Sequence, residues 1–193
     1  MTKTRRTLAL LVLPLAACSR PAAGPSTSPS PPLAAEDPGR PLPSPVPEIV
    51  ARVNGQSIHL QQILPLAKAE LARVSLPERE KKKPEALRSA LRQYVDRELL
   101  LQEALARGVQ PDAREVEWAY DQMRREHADD KAWSEFLAKQ GLDPQSLRTE
   151  LRTQHTVAAL LQQDAAGGKG GQEEVRAALL ARLRAQARIE LLL

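Results

Sequence analysis

Residues 49–58 read IVARVNGQSI, and this stretch decides how the folded part of the chain begins. Residues 49–53 alternate apolar and β-branched side chains, a composition typical of a strand. Asn54-Gly55 is the strongest two-residue signal for a hairpin turn. Residues 56–58 can then return antiparallel, so the sequence predicts a β-hairpin.

The last seven residues, ARIELLL (187–193), are predicted to add a strand to this hairpin. Ile189, Leu191 and Leu193 alternate with their neighbours and would share one inward face. An isolated hairpin is marginally stable in water, and a third strand helps to stabilise it. We therefore expect the first and last elements of the domain to close onto one small antiparallel sheet.

The middle of the chain is expected to be helical, because its apolar side chains recur at helical spacing. A first helix is predicted over residues 60–74, with a kink at Pro65, which lacks a backbone donor. A second helix is predicted from Pro84, a favoured first-turn residue, to Gly108, a favoured C-terminal cap. The charged run before it, residues 78–83, is interpreted as a loop or a frayed helix end.

The second helix is predicted to lie at the centre of the domain, because its apolar face is wide enough for more than one neighbour. That face comprises Leu87, Leu91, Tyr94, Val95, Leu99, Leu101 and Leu105. Three more helices are expected: one after the N-cap Asp112, a shorter one over residues 132–140, and a long one over residues 143–166. After the glycine-rich linker at residues 167–171, residues 172–185 are expected to be helical again.

Residues 1–17 are predicted to be an export signal. A basic start, MTKTRR, precedes the apolar run TLALLVLPLAA (7–17), which is too short to span a bilayer. The end of this stretch, LAAC (15–18), resembles the bacterial lipobox, and the resemblance implies that Cys18 becomes a diacylated amino terminus. Two or three acyl chains give a stable membrane anchor. The alternative is an incidental thiol beside an ordinary cleavage site.

Residues 18–47 are predicted to be an extended tether that starts at the lipidated Cys18. Ten of the 16 prolines lie between Pro21 and Pro47, and such a composition cannot bury enough surface to order itself. At about 3.1 Å per residue the tether would reach roughly 90 Å at most. Ser19 resembles the default sorting signal to the outer membrane of a Gram-negative bacterium, which implies a location in the cell envelope, facing the periplasm.

Composition narrows the classes of function. Residues 48–193 are long enough for one domain, and a single cysteine excludes both an internal disulfide framework and a multi-cysteine metal site. The net charge of +4 depends on Lys3, Arg5 and Arg6 of the predicted signal, without which 25 basic residues face 24 acidic ones. A nucleic-acid partner is not expected, because that function needs a clustered positive surface.

Several stretches of the chain together resemble one protein family. They are RVNGQSI (52–58), YVDRELLLQEALARGV (94–109), Glu115-Val116, FLAKQGL (136–142) and LRTELR (147–152). In order and spacing they resemble the amino-terminal chaperone domain of the SurA, PrsA and PpiD group of extracytoplasmic foldases. The resemblance spans nearly all of residues 48–193 and implies a mainly α-helical chaperone domain with a small antiparallel sheet.

The chain departs from this family in one respect. Family members usually carry a parvulin-type prolyl isomerase domain before a returning segment, which here is residues 172–193. Only the five-residue linker at 167–171 stands in that place. No catalytic residue can be carried over, so we expect a foldase reduced to its chaperone domain, without enzymatic activity, metal or cofactor.

A chaperone needs a partly exposed apolar surface that can adapt to many sequences. The candidate client-binding residues are Trp118, Tyr120, Met123, Trp133 and Phe136. The alternative is that most of them fill a core between the second, third and fourth helices. Trp118 is the exception, because it lies off the helical stripe of Val116 and Tyr120 and is expected to face outward.

Polar side chains offer two further alternatives. A metal site would use His127, Asp129, Asp130 and His155, and a general acid and base pair would use Glu115 and Glu117. Neither set has the spacing that a zinc or hydrolase site requires. Solvated charge on helix surfaces is therefore the preferred interpretation.

Three functions are compatible with these features of the sequence. The first is an ATP-independent, membrane-tethered chaperone, a holdase that binds unfolded or nascent exported polypeptides, including outer-membrane proteins. The second is a non-catalytic accessory subunit that binds one fixed partner in an export or surface-assembly machine. The third, a peptidyl-prolyl isomerase, is disfavoured because the catalytic domain is missing.

Overall fold

The computed structural model describes residues 41–167 and 171–193 of the chain. The predicted signal peptide, Cys18 and the tether as far as residue 40 lie outside the described residues, as do residues 168–170 of the glycine-rich linker. The described part opens with two strands, continues through six α-helices and ends with a third strand. The predicted fold class, mainly helical with a small sheet, is confirmed.

In chain order the elements are β1 (Ile49–Val53), β2 (Gln56–His59), α1 (Leu60–Ala72), α2 (Arg79–Ala106), α3 (Ala113–Arg125), α4 (Asp130–Gln140), α5 (Pro144–Ala166), α6 (Gln172–Gln186) and β3 (Ile189–Leu191). The predicted starts of α3 and α5 are confirmed, because the side chains of Asp112 and Asp143 cap these helices. None of the helices in the described residues is both long and apolar enough to cross a membrane.

The strand β1 lies at the centre of the sheet, with β2 on one side and β3 on the other, both antiparallel to it. The turn between β1 and β2 has φ angles of 51° at Asn54 and 88° at Gly55, the left-handed conformation that this residue pair favours. On the other edge, Ala51 pairs with Leu191. The predicted hairpin and the predicted closure of the first and last elements onto one sheet are confirmed.

The helix α2 lies at the centre of the larger of two hydrophobic cores, as its wide apolar face predicts. It contacts α1, α5, α6 and β1. The buried side chains of this core include Val50, Val53, Ile58, Ile63, Leu87, Leu91, Val95, Leu99, Leu100, Leu160, Leu179, Leu183 and Ile189. Leu42 and Val46 also pack against it, so contact with the domain begins upstream of Glu48.

The start of α2 differs from the prediction. The helix begins at Arg79 rather than Pro84, so residues 79–83 are helical rather than a loop. Ion pairs one turn apart, such as Lys82 with Glu85, support these charged turns. Pro84 is therefore the sixth residue of α2, and it lies inside the helix, where it lacks the backbone donor for one helical hydrogen bond.

Two other details differ from the prediction. Leu105, expected on the buried face of α2, is 59% exposed, because only the side of the last turn that carries Ala104 faces the core. The helix α4 begins at Asp130 rather than residue 132, because Asp129 caps it by accepting a hydrogen bond from the Ala132 amide at 2.8 Å.

A second, smaller core lies between α3, α4 and the first half of α5, which together we call the small lobe. Its buried side chains are Val116, Tyr120, Trp133, Leu137, Leu147 and Leu151. The second half of α5 contributes Leu160 and Leu161 to the larger core instead. One continuous helix therefore connects the small lobe to the larger body.

Candidate functional site

The structure separates the predicted client-binding residues into buried and exposed groups. Tyr120 and Trp133 are 8% and 5% exposed, and their rings meet edge to face with 5.6 Å between centroids. Met123 and Phe136 are half-buried at the rim of the small core. Trp118 is 65% exposed. Tyr120 and Trp133 thus fill a core, as the alternative interpretation held, and the predicted outward position of Trp118 is confirmed.

Trp118 lies on the side of α3 that faces away from the small core. Val116 and Tyr120 are buried, and at 100° per residue Trp118 lies about 200° around the helix from each of them. Three other exposed side chains of α3 fall within about 40° of the direction opposite Val116. We define the outer ridge of α3 as Arg114, Trp118, Asp121 and Arg125.

Contacts on both flanks of α3 hold the outer ridge in place. On one flank, the Nε of Arg148 donates hydrogen bonds to both carboxylate oxygens of Glu117, at 3.2 and 3.1 Å. On the other flank, the Nδ1 of His155 lies 3.6 Å from the carboxylate of Glu115. The ridge is therefore carried by a helix that is fixed to α5 rather than by a mobile loop.

The two arginines of the outer ridge lack a carboxylate partner among residues 41–167 and 171–193. The guanidinium groups of Arg114 and Arg125 make no ion pair there, whereas Arg124, the neighbour of Arg125 in sequence, pairs with Asp130. Both ridge arginines are exposed. Their charges are available to a binding partner on either side of Trp118.

Residues 37–161 match the family model described as the SurA-like N-terminal domain, and this match covers more than half of the chain. The chain belongs to the SurA-like N-terminal domain family. No curated protein and no solved structure gives a significant match. The resemblance noted in the sequence is confirmed at the level of this family.

The SurA-like match ends within α5, yet the residues that follow complete the same fold. Leu179 of α6 and Ile189 of β3 belong to the larger core. Arg184 of α6 donates two hydrogen bonds to the carboxylate of Asp96 in α2, at 2.9 and 2.5 Å. Only residues 167–171 separate α5 from α6. The returning segment is therefore an integral part of the domain.

The side chains that were considered for a metal site do not form a common cluster in the SurA-like domain. The ring of His127 packs against Phe136, with 4.6 Å between centroids, whereas His155 pairs with Glu115 at the contact between α3 and α5. Asp129 serves as the N-cap of α4. In the part of the chain that the structure describes, no three His, Cys, Asp or Glu side chains are placed to hold a metal ion.

The two carboxylates of the alternative acid and base pair have separate partners. Glu115 pairs with His155, and Glu117 pairs with Arg148. Two residues apart on a helix, the two carboxylates point about 200° from each other. They therefore do not face a common substrate position.

The sequence interpretation identified Trp118 but missed Arg114 and Arg125. Their positions, four residues before and seven residues after Trp118, place all three side chains along one side of a helix. This spacing was visible in the sequence. That both arginines lack an ion-pair partner in the described residues is a tertiary property, because it depends on where α4 and α5 place their carboxylates.

Proposed function

We propose that this SurA-like domain is an ATP-independent chaperone, a holdase that binds unfolded exported or outer-membrane proteins. The observation that carries the proposal is the family match over residues 37–161, because the family has a chaperone-type role in protein folding. Holding an aggregation-prone polypeptide needs exposed apolar surface rather than a deep, specific pocket.

Trp118 is proposed as the main client contact. It is the one exposed aromatic side chain among the described residues, and the fixed helix beneath it limits the entropy lost on binding. Met123 and Phe136 at the rim of the small core are proposed as adaptable secondary contacts. Tyr120 and Trp133 would support this surface from within the core rather than contact clients directly.

Membrane tethering is proposed through Cys18, with the domain in the cell envelope and, in a Gram-negative cell, on the periplasmic side of the outer membrane. A tethered chaperone would meet polypeptides as they leave the export machinery. Labelling with a fatty-acid analogue tests the anchor. Cys18→Ser should abolish the label and release the protein from the membrane fraction, and a labelled C18S protein would refute the anchor.

A role without catalysis is proposed, because the match covers the N-terminal domain and five residues connect α5 to α6. The test is cis/trans isomerisation of a proline-containing tetrapeptide. The uncatalysed rate is expected at micromolar protein. Acceleration proportional to protein concentration would refute this part of the proposal.

Light scattering tests the holdase activity itself. A chemically unfolded envelope protein is diluted into buffer with and without the mature chain carrying Cys18→Ser, so that no lipid is attached. We expect suppression of aggregation at a near-equimolar ratio, and weaker suppression by Trp118→Ala. Leu105→Ala is the matched control, because Leu105 is also exposed but lies on α2, outside the small lobe.

An accessory subunit for one fixed partner would behave differently. It would leave aggregation unchanged while folding normally, and a pull-down of the lipidated protein from its own membranes would return one stoichiometric partner. These two results together would refute the holdase proposal and support the accessory subunit.

A further inference from the structure

The outer ridge of α3 places one indole between two positive charges. At 1.5 Å per residue along the helix axis, Arg114 lies about 6 Å before Trp118, and Arg125 lies about 10 Å beyond it. The two arginines are thus about 16 Å apart, which is the length of about five residues of extended polypeptide. One short segment of an unfolded chain can therefore contact the whole ridge.

The charges of the ridge complement carboxylates. Arg114 and Arg125 have no ion-pair partner within the described residues, and Asp121 is the single acidic side chain of the ridge. A guanidinium group binds a carboxylate through paired N–H donors, and an exposed indole packs favourably against apolar or aromatic side chains. A segment that offers both kinds of group matches the ridge better than one that is apolar or basic.

We propose that the outer ridge selects client segments in which an aromatic residue is flanked on both sides by acidic residues. This inference rests on the proposed chaperone function and names the chemistry of the segments that bind. In an extended segment, alternate side chains lie on the same face. Acidic residues two and four positions from the aromatic residue can therefore reach Arg114 and Arg125, whereas residues at odd positions point away.

Peptide binding followed by fluorescence anisotropy tests the selection. The first probe is a labelled peptide with one phenylalanine and glutamates two and four residues to either side. The second carries lysines at those positions. The third has the same composition as the first but places the glutamates one and three residues from the phenylalanine. Each is titrated with the mature Cys18→Ser chain.

We expect the first peptide to bind about threefold to tenfold more tightly than the lysine peptide at low salt, the range that two exposed ion pairs provide. It should also bind more tightly than the peptide with shifted glutamates. The preference should largely disappear at about 1 M salt, where the Debye length is about 3 Å. Trp118→Ala should weaken binding of all three peptides.

A double variant that reverses both arginine charges of the outer ridge is the decisive test of the selection. Arg114→Glu combined with Arg125→Glu should invert the order, so that the lysine peptide binds best. The matched control is Arg152→Glu, because Arg152 is an exposed arginine of α5 outside the ridge. This control should leave the order unchanged. Circular dichroism and thermal melting confirm that each variant is folded.

Three results would overturn the inference. They are equal affinity for the glutamate and lysine peptides, an order that persists after both ridge arginines are reversed, and arginine-dependent binding to anionic lipid vesicles without peptide binding. The light-scattering assay separates these failures from failure of the chaperone proposal. If the protein suppresses aggregation but shows no charge preference among the peptides, only the proposed selection is refuted. If it neither suppresses aggregation nor shows a charge preference, the holdase function is refuted as well.

Discussion

The guanidinium of Arg148 lies over the ring of Tyr120, with its central carbon 3.6 Å from the ring centroid. Arg148 belongs to α5 and Tyr120 to α3, and the same guanidinium holds Glu117, also on α3, through its Nε. One side chain thus fixes the helix that carries Trp118. This contact and the burial of Tyr120 in the small core together set the orientation of the outer ridge.

Removal of this contact should loosen the small lobe. We expect Arg148→Ala to lower the free energy of unfolding by about 1–2 kcal/mol, since it removes a close cation–π contact and a hydrogen-bonded ion pair with Glu117. Urea denaturation measures the change. Arg152→Ala, one turn further along α5, is the control and should stay within about 0.5 kcal/mol of the wild type. Equal effects of the two substitutions would show that the contact does not stabilise the lobe.

Substitution of the two tryptophans should affect stability to very different extents. Trp133→Ala empties the small core and should cost about 3–5 kcal/mol, whereas Trp118→Ala should change stability by less than about 0.5 kcal/mol. Chemical denaturation measures both values. In Trp133→Phe, the remaining indole of Trp118 should emit at long wavelength and be quenched readily by iodide. Blue-shifted, protected emission from that variant would mean that Trp118 is covered.

The C-terminal strand should contribute strongly to stability. Ile189 is buried in the larger core, so Ile189→Ala should cost about 2–5 kcal/mol. Leu192, in the same segment but 39% exposed, is the control, and Leu192→Ala should cost less than about 1 kcal/mol. Deletion of residues 187–193 should lower the melting temperature further. An unchanged melting temperature after the deletion would contradict the pairing of β3 with β1.

The cap of α5 should give the domain a component of acid sensitivity. The backbone amide and the hydroxyl of Ser146, followed by the amide of Gln145, donate hydrogen bonds to Asp143 and hold the pKa of its carboxyl below the usual value. Because the folded pKa is depressed, the stabilisation is present above the unfolded pKa, near 3.8. It is lost as the pH falls through the folded pKa.

Substitution of the cap tests this dependence. Asp143→Asn cannot titrate, so its deficit in melting temperature relative to the wild type should shrink as the pH falls below about 4. Asp121→Asn removes a carboxylate that accepts no hydrogen bond among the described residues and serves as the control. If the curves for wild type and Asp143→Asn run parallel from pH 6 to pH 2.5, the cap does not contribute in the predicted way.

Much of the secondary structure could be predicted because its signals are local. Asn54-Gly55 sets the hairpin, and Asp112 and Asp143 cap their helices in the way that their positions before apolar repeats predict. That the last residues add a strand to the hairpin could also be predicted, since a hairpin alone is marginal and these residues alternate, but its pairing with β1 comes from the structure. The turn and the helix caps need no knowledge of distant contacts.

The predictions of the helix start and of buried positions in α2 were wrong where tertiary contacts or continuation of the helix outweigh a local sequence signal. Pro84 favours a helix start, but the charged turns before it are good helix formers and continue the helix upstream. Leu105 follows the apolar repeat of α2, yet the core does not surround that turn. The division into two cores depends on how α3 and α4 pack on one half of α5, which periodicity along a single helix does not specify.

Photocrosslinking from position 118 tests whether unfolded clients contact the outer ridge of α3. A photoreactive phenylalanine analogue replaces Trp118, or Leu105 as the exposed control, and the purified chain is mixed with an outer-membrane protein that is either unfolded or folded. We expect crosslinks from position 118 to the unfolded protein, few to its folded form, and few from position 105. No crosslinks from position 118, or equal crosslinking to folded and unfolded protein, would contradict a holdase that binds its clients through the outer ridge of α3.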